Sequence, residues 1–244
     1  AYRAGTVDRV VADLHDGQLA INNDGTLSLT VGGPDTGGNW LDLGEDAAFV
    51  IIREYTHDRV NGVKAAFDVD QISPMLGHRP ELDADRITSF LGLLGMGLTW
   101  VNDATVRLAA ELRLRPNVMN EAGADLVSEM AGTPHNHYQL CYVQLEPGQV
   151  LELELNPPSC RYWSVHLNNW WLESPEYRDG QSVCLNDAQV ERQEDGSVKM
   201  LVGPDDPGTG NWLDTKGRTE TILLARYLLP DSELPPIITN IINI

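Results

Sequence analysis

The stretch Gly38-Asn39-Trp40-Leu41-Asp42 occurs a second time in the chain, as Gly210-Asn211-Trp212-Leu213-Asp214. Each copy follows an Asp-Gly turn and a Gly-Pro-Asp sequence, and each precedes an apolar run that leads to an arginine and a tyrosine. The copies lie too far apart for a solenoid, whose repeats follow one another directly. The repetition therefore predicts one structural unit used twice.

The repeated Asn-Trp pair suits a structural role. An asparagine side chain can bond backbone groups and fix a turn, and a tryptophan can cover the end of a sandwich while its N–H finds an acceptor. Since two unrelated active sites would seldom keep the same residues, we expect the loops around Trp40 and Trp212 to shape the fold. Ligand contact is the alternative.

Composition limits the classes of partner. The chain has 244 residues and a formal net charge of -19 at pH 7. This charge argues against nucleic acid, which needs a basic face, and against anionic membrane surfaces. The longest apolar run, residues 90–101, is too short to span a membrane. We therefore predict a soluble protein with neither nucleic acid nor membrane as a partner, and the compartment, periplasm or cytoplasm, stays open.

The first unit begins abruptly. Tyr2-Arg3 resembles Tyr177-Arg178, and both pairs lead to an Asp-Gly turn and then to the repeated loop. Strand-like sequence precedes Tyr177, whereas only Ala1 precedes Tyr2, with neither an initiator Met nor a signal peptide. We expect a matching N-terminal portion to be missing or to be supplied by another chain. A naturally shortened first copy is the alternative.

Hydrophobic alternation predicts strands in the second half of the chain. The predicted strand 149–155 alternates, with Leu151, Leu153 and Leu155 pointing inward and Glu152 and Glu154 outward. The predicted strand 161–167 has two faces, with Trp163, Val165 and Leu167 on one and Tyr162, Ser164 and His166 on the other. Further strands are predicted at 138–145, 183–190, 197–202 and 221–229, and in the first unit at 26–31 and at 48–55, the last one buried on both faces.

The middle of the chain is predicted to be helical. Residues 83–115 keep helical spacing of apolar side chains, with Asp83 or Asp85 as the cap. We expect two helices here, the second one stopped by Pro116. Residues 120–132 suit a further short helix or a loop.

Short strands separated by turn signals are typical of a β-sandwich or jelly roll. The predicted fold is therefore mainly β with a helical insert: a jelly-roll-like β-sandwich unit, duplicated, with the first copy incomplete. The predicted boundaries are 1–58 for the partial first β unit, 59–134 for the mainly helical connecting region, 135–231 for the second β-sandwich unit and 232–244 for the tail.

Four stretches together carry a family resemblance. They are Arg161-Tyr162-Trp163-Ser164-Val165, Asp195-Gly196-Ser197, Gly210-Asn211-Trp212-Leu213 and Arg226-Tyr227-Leu228-Leu229-Pro230. With them, residues 138–230 resemble the bacterial family called domain of unknown function 1214, which often accompanies domain of unknown function 1254. The resemblance implies a jelly-roll-like sandwich, often duplicated in one chain, and no activity. The family ending places a tyrosine two residues after the arginine, a pattern that Arg53-Glu54-Tyr55 fits and that Arg226-Tyr227 misses by one position.

The densest aromatic cluster lies at residues 162–177. Aromatic platforms with amides and carboxylates nearby suit sugars or flat apolar ligands. We therefore predict a pocket for a small organic or carbohydrate ligand between the sandwich and the helical middle, and a packed sandwich end is the alternative. The predicted ligand-binding residues are Tyr162, Trp163, Asn168, Trp170, Trp171 and Tyr177.

An enzymatic version of this pocket would use His166 or Glu173 as acid or base. Glu173 and Glu176 would suit glycoside chemistry only at the required separation, which the sequence does not give. The chain has no GxSxG elbow, P-loop, GxGxxG fingerprint or HExxH motif. Whether the protein is an enzyme stays open.

No metal or cofactor is predicted. His135, His137 and His166 could bind zinc, iron or copper if they converged. Hydrogen-bonded or surface histidines are the better default, because a cupin-like glutamate is missing at the right distance. The three cysteines form no CxxC pair, and Asp205 and Asp206 lack the spacing of a calcium loop.

The tail carries two apolar pairs, Ile237-Ile238 and Ile241-Ile242. We expect it to dock on its own body or on another chain, which makes residues 232–244 the candidate homo-oligomer contact. The second function hypothesis follows from this: a structural or assembly protein, whose partial first unit and apolar tail are completed by neighbouring chains.

Overall fold

The computed structural model describes residues 2–3, 10–45, 47–58, 60–72, 83–123, 134–175, 182–208 and 210–244. It contains one α-helix, α1 (Ala84–Arg113), and a short 3-10 turn at Asp16–Gln18 among these residues. The strands are β1 (Tyr2–Arg3), β2 (Thr30–Val31), β3 (Trp40–Leu41), β4 (Ala47–Phe49), β5 (Asn120–Glu121), β6 (Asn136–Gln144), β7 (Gln149–Leu155), β8 (Tyr162–Asn168), β9 (Cys184–Asn186), β10 (Val198–Gly203), β11 (Trp212–Asp214), β12 (Glu220–Leu228) and β13 (Ile238–Asn243).

Two sheets in the second half of the chain share one apolar core. The four-stranded sheet has the order β11-β10-β7-β13, and the five-stranded sheet has the order β5-β6-β12-β8-β9. All pairings in them are antiparallel except β10 with β11. The shared core takes alternate residues from strands of both sheets. The fold is therefore mainly β with a helix, as predicted.

Strand β7 shows why alternation identified these strands. Leu151, Leu153 and Leu155 are 0% exposed in the shared core, whereas Glu152 and Glu154 are half-buried. Burying each leucine contributes roughly 1.5–3 kcal/mol. A slip of one residue would exchange the leucines for carboxylates, so the register is strongly specified.

Strand β12 is the centre of the five-stranded sheet. It pairs with β6 from Glu220 to Leu228 and with β8 from Ile222 to Leu228. Leu223, Ala225 and Tyr227 enter the shared core. The residues between them, Ile222, Leu224 and Arg226, therefore face the opposite way, onto what we call the outer face of this sheet.

Helix α1 covers the apolar part of the outer face. Asp83 caps its start, since its carboxylate accepts a hydrogen bond of 2.8 Å from the N–H of Arg86. Near its end, Leu108, Ala109 and Leu112 pack against the sheet. Their partners on the outer face are Leu140, Tyr142, Ile222 and Leu224.

The prediction of two helices in this region is wrong, because α1 runs without interruption from Ala84 to Arg113. Gly92, Gly95 and Gly97 lie inside it. Each glycine costs about 1 kcal/mol relative to alanine, which weakens a helix but does not remove a backbone donor as proline would. The helix does end before Pro116, as expected.

The part of α1 up to Val101 leaves a row of large apolar side chains exposed. They share the helical face that the second half buries against the sheet, because their spacing continues it. These residues are Ile87, Phe90, Leu91, Leu94, Leu98 and Val101. In the described part of the chain, no helix combines the length and apolarity that a membrane span requires.

The first unit forms less regular structure than predicted. The strand expected at 48–55 is wrong: β4 covers only Ala47–Phe49, and Ile52 is 59% exposed. Among the described residues, β4 pairs only with the two-residue strand β1, and Phe49 is 39% exposed, so this strand has no apolar layer packed on both faces. The strand expected at 26–31 shrinks to Thr30–Val31.

Asn211 clamps the repeated loop of the second half. Its side-chain amide donates to the carbonyls of Glu191 at 2.7 Å and Lys199 at 2.9 Å, and its oxygen accepts from the N–H of Glu191 at 2.8 Å. Next to it, Trp212 donates from Nε1 to the carbonyl of Gly203 at 3.1 Å. The loop is thereby tied to β10, with which β11 pairs in parallel.

The loop of the first unit makes the same set of bonds. Asn39 donates to the carbonyls of Ala20 at 2.9 Å and Ser28 at 3.0 Å, and accepts from the N–H of Ala20 at 2.7 Å. Trp40 donates to the carbonyl of Gly32 at 3.2 Å, and β2 pairs with β3 in parallel. Both Asn-Trp pairs therefore act on backbone groups, as expected for a structural role.

The two clamps should differ in their effect on stability. Asn211 is 5% exposed and its three bonds are partly buried, whereas Asn39 is half-buried and its partners Ala20 and Ser28 are exposed. We expect Asn211→Ala to lower the free energy of unfolding by about 2–4 kcal/mol, because three backbone groups lose partners, and Asn39→Ala by less than about 1 kcal/mol, because water replaces the amide. Urea unfolding of both variants measures the free energy of unfolding. If both variants lose the same amount, the burial of the asparagine does not determine its contribution to stability.

Candidate functional site

A polar group of side chains occupies the part of the outer face that α1 does not cover. We call it the outer-face cluster and define it by Tyr138 on β6, Arg226 on β12 and three residues of β8, namely Tyr162, Ser164 and His166. The register places Tyr138, Arg226 and Ser164 directly across from one another on neighbouring strands. His166 and Tyr162 follow one pleat to either side of Ser164, on the same face.

Arg226 is the central charge of the cluster. Its guanidinium carbon lies 5.3 Å from the ring centre of Tyr138. Its Nε is buried and has no hydrogen-bond partner, and no carboxylate in the described part of the chain forms an ion pair with it. A half-buried guanidinium without a counter-ion is unusual, because charged groups are costly to desolvate unless they are paired.

His166 adds a second unsatisfied group. Its Nδ1 is buried without a hydrogen-bond partner. Burial, followed by the nearby charge of Arg226, lowers the pKa of His166 to about 3. The imidazole is therefore neutral at physiological pH and offers one N–H donor and one acceptor nitrogen.

The tyrosines line the cluster with aromatic surface. Burial raises the pKa of Tyr138, an effect that the positive charge of Arg226 partly offsets. Burial likewise raises the pKa of Tyr162. Both phenols stay protonated at neutral pH, so each combines a flat apolar ring with a hydrogen-bonding hydroxyl.

A segment of the first unit borders the cluster on the side away from α1. The hydroxyl of Tyr55 accepts a hydrogen bond of 2.7 Å from the amide of Asn136, and its ring centre lies 5.5 Å from that of Tyr162. His57 lies 5.4 Å from the same ring and 3.2 Å from a carboxylate oxygen of Asp187. The two halves of the chain thus meet at this site.

The predicted faces of strand 161–167 are confirmed, and they separate the predicted ligand-binding residues. Tyr162 and His166 lie on the outer face, as does buried Asn168. Trp163 is 2% exposed in the shared core on the opposite face. A ligand on the outer face therefore does not reach Trp163.

The turn after β8 carries the remaining predicted residues toward α1. Trp170 packs edge-on against Tyr142, with ring centres 5.6 Å apart. Trp171 is 53% exposed and donates from Nε1 to the side chain of Asn102 at 3.2 Å. Tyr177 lies outside the described residues. The predicted aromatic cluster is thus divided among the core, the outer face and the contact with α1.

The predicted acid–base residues are not in contact with each other. The carboxylate of Glu173 accepts a hydrogen bond of 2.8 Å from the amide of Asn169, within the turn that follows β8. Among the described residues, no hydrogen bond or ion pair joins Glu173 to His166. Their use in one reaction stays a prediction.

The three histidines considered as metal ligands lie apart. His137 pairs across the sheet with Tyr227, a residue of the shared core, whereas His166 points to the outer face. His135 bonds the carboxylate of Asp13. Within the described ranges, no group of three or more His, Cys, Asp or Glu side chains is placed to hold a metal ion.

Sequence reasoning missed Arg226, Tyr138 and Tyr55 as members of one site. A signal for two of them is present in the sequence, which has two arginine–tyrosine endings, Arg53-Glu54-Tyr55 and Arg226-Tyr227. Their convergence on one face depends on pairings between distant strands, which no local pattern contains.

Comparison with solved structures supports the fold. A crystal structure of an uncharacterised protein from Burkholderia cenocepacia matches with a TM-score of 0.83 at 23% sequence identity, over 99% of this chain and 68% of that chain. The VPA0106 protein from Vibrio parahaemolyticus gives a TM-score of only 0.36 at 13% identity, over 66% of this chain and 47% of that one, which supports no conclusion. At these identities the likeness concerns the fold alone. No curated protein matches the sequence.

The family comparison agrees with the residues that carry the resemblance. Residues 144–232 match the family described as Protein of unknown function (DUF1214). This segment contains most of the two sheets and all of β12. Residues 144–232 are therefore similar to the DUF1214 family.

Proposed function

We propose that the protein binds a small organic molecule carrying a carboxylate at the outer-face cluster, with Arg226 as the partner of the anion. One observation carries the proposal: the buried Nε of Arg226 has no hydrogen-bond partner, and its charge has no carboxylate from the described residues. A ligand carboxylate would supply a hydrogen-bond acceptor for Nε and a counter-ion for the charge. The planar guanidinium fork suits a carboxylate in a bidentate arrangement.

His166 and the tyrosines would bind the rest of the ligand. The neutral imidazole offers a hydrogen bond through its unpartnered Nδ1. Tyr138, Tyr162 and Tyr55 supply flat apolar surface beside it. A carboxylate joined to a ring or another flat body fits this combination of one charge and several aromatic walls.

The overall charge of -19 opposes an anion at long range. Physiological salt screens such exposed charges beyond roughly 8 Å, whereas a half-buried pair is screened much less. Attraction at the site therefore depends on Arg226 and on the Arg53 charge near Tyr138, and not on the net charge of the surface.

We further propose that the two sheets form the jelly-roll-like sandwich expected from the sequence, and that the first unit is a second, incomplete copy of it. The matching bonds of Asn39 and Asn211 support the duplication. So do the preceding turns, where Asp24 accepts from Thr26 and Asp195 accepts from Ser197 through the same atoms.

Catalysis stays a prediction within this proposal. A general base works best when its pKa lies near the working pH, and His166 in the free site lies far below it. A bound carboxylate would raise the pKa of His166 toward that range by favouring the charged imidazolium. The assembly function has its support in β13, considered below.

Arg226→Gln should abolish binding of a test carboxylate. We expect benzoate at ten times its Kd to raise the Tm of the unmodified protein by roughly 3–6 °C, because about 1.4 kcal/mol of binding energy stabilises the native state. Benzamide, which has the same ring without the charge, should give no shift. Differential scanning fluorimetry measures both.

The matched control is Arg115→Gln, which removes an exposed arginine beyond the end of α1 and should keep the benzoate shift. Arg226→Lys should keep only part of it, because the ammonium lacks the planar fork. Equal shifts in the Arg226→Gln and unmodified proteins, or no shift with benzoate, succinate or phthalate, would refute the proposal.

The low pKa of His166 predicts a specific loss of stability in acid. Between about pH 6.5 and pH 3 the unfolded chain binds a proton at this site and the native protein does not, so the free energy of unfolding falls as pH falls. The slope is at most about 1.4 kcal/mol per pH unit. Above pH 6.5 the imidazole of His166 is neutral in the native and the unfolded state, so it no longer makes the free energy of unfolding depend on pH.

His166→Gln should reduce this acid dependence, since glutamine does not titrate. From pH 6.5 to pH 5 the unmodified protein should lose up to about 2 kcal/mol more than the variant. Urea unfolding at both pH values checks it. Identical acid losses in the two proteins would mean that His166 is not held neutral by burial.

A further inference from the structure

Strand β13 is a long free edge in a fold whose other edges are short. It ends the four-stranded sheet, and among the described residues it pairs on one side only, with β7. The other edge strands of the two sheets, β5, β9 and β11, have two or three residues each, whereas β13 has six. A short edge strand offers few backbone groups to another chain, which protects the sheet from pairing, and β13 is too long for this protection.

The backbone of β13 alternates between its partner and the free edge. Ile244 donates from its N–H to the carbonyl of Gly148 at 2.8 Å. Counting back along this antiparallel ladder, Asn240 and Ile242 also bond β7, so the N–H and C=O of Thr239, Ile241 and Asn243 point to the free side. The described residues offer these groups no backbone partner.

The composition of β13 favours pairing. Its sequence Ile-Thr-Asn-Ile-Ile-Asn contains no charge and no proline, in a protein with a net charge of -19. Ile238 and Ile241 remain partly exposed. Edge strands are usually protected from pairing by a lysine, a proline or a bulge. Strand β13 contains no lysine and no proline, and its unbroken register with β7 shows no bulge.

We propose that β13 pairs antiparallel with β13 of a second copy of this chain, across a two-fold axis. Each strand then offers alternating donors and acceptors to an identical strand, which is the self-complementarity that a two-fold interface requires. The two four-stranded sheets become one continuous sheet of eight strands. The interaction is strand addition at an exposed edge.

The contact is small and should be weak. Edge-to-edge pairing of six residues buries less than the roughly 1,200 Å² typical of the smallest stable interfaces. Two copies that each carry strong negative charge also repel one another, and salt screens this repulsion. The dimer should therefore depend on concentration and gain affinity as ionic strength rises.

Sedimentation velocity over a concentration series up to about 1 mM, at low and high salt, tests the proposal. We expect a monomer–dimer equilibrium that Asn240→Glu weakens at least about tenfold, because the two added carboxylates lie on the same face of the joined sheet, close to the axis. Asn240→Gln is the matched control and should leave the dimer intact. Asn240 is exposed and keeps its backbone bonds to β7 in both variants.

Two further variants make the outcome decisive. Ile241→Pro removes an N–H that faces the free edge and should prevent pairing without removing a bond to β7; its thermal unfolding midpoint shows whether the fold is kept. Leu94→Glu charges the exposed face of α1 and should not affect the dimer. A chain that stays monomeric throughout, or a dimer lost in Leu94→Glu but retained in Asn240→Glu, overturns the proposal.

Discussion

The register of β12 between β6 and β8 positions both the core and the candidate site. Its alternate residues send Leu223, Ala225 and Tyr227 into the shared core and leave Arg226 on the outer face. The buried side chains hold the strand in place, since a shift of one residue would bring the guanidinium into an apolar interior at high cost. Apolar packing on one face thereby holds on the other a guanidinium whose Nε has no hydrogen-bond partner among the described residues.

Two different parts of the chain contact the outer face of the five-stranded sheet. Helix α1 packs on its apolar rows through Leu108, Ala109 and Leu112, and the segment that carries Tyr55 and His57 borders its polar rows. A helix that covered the entire face would leave no room for a ligand beside Arg226. The first unit contributes to this boundary, which gives its irregular chain a role beyond repeating the loop of the second half.

The hydrophobic pattern of the sequence predicts a strand correctly where one face of that strand packs on an apolar core. The alternation of Leu151, Leu153 and Leu155 located β7 at its observed bounds, and the two faces of β8 were placed correctly. It failed at residues 48–55, where apolar composition predicted a buried strand, whereas among the described residues β4 pairs only with the two-residue strand β1. The site was beyond such reasoning because Tyr138, Ser164 and Arg226 meet only through long-range strand pairing.

Direct observation of the Arg226 Nε–H group tests whether this group, which has no hydrogen-bond partner among the described residues, binds a ligand anion. A proton–nitrogen NMR spectrum of the arginine side chains, with Arg226→Gln identifying the resonance, would be recorded during a benzoate titration. We expect this one resonance to move downfield as a charge-assisted hydrogen bond forms. An Arg226 signal that stays fixed while benzoate saturates the protein would contradict it.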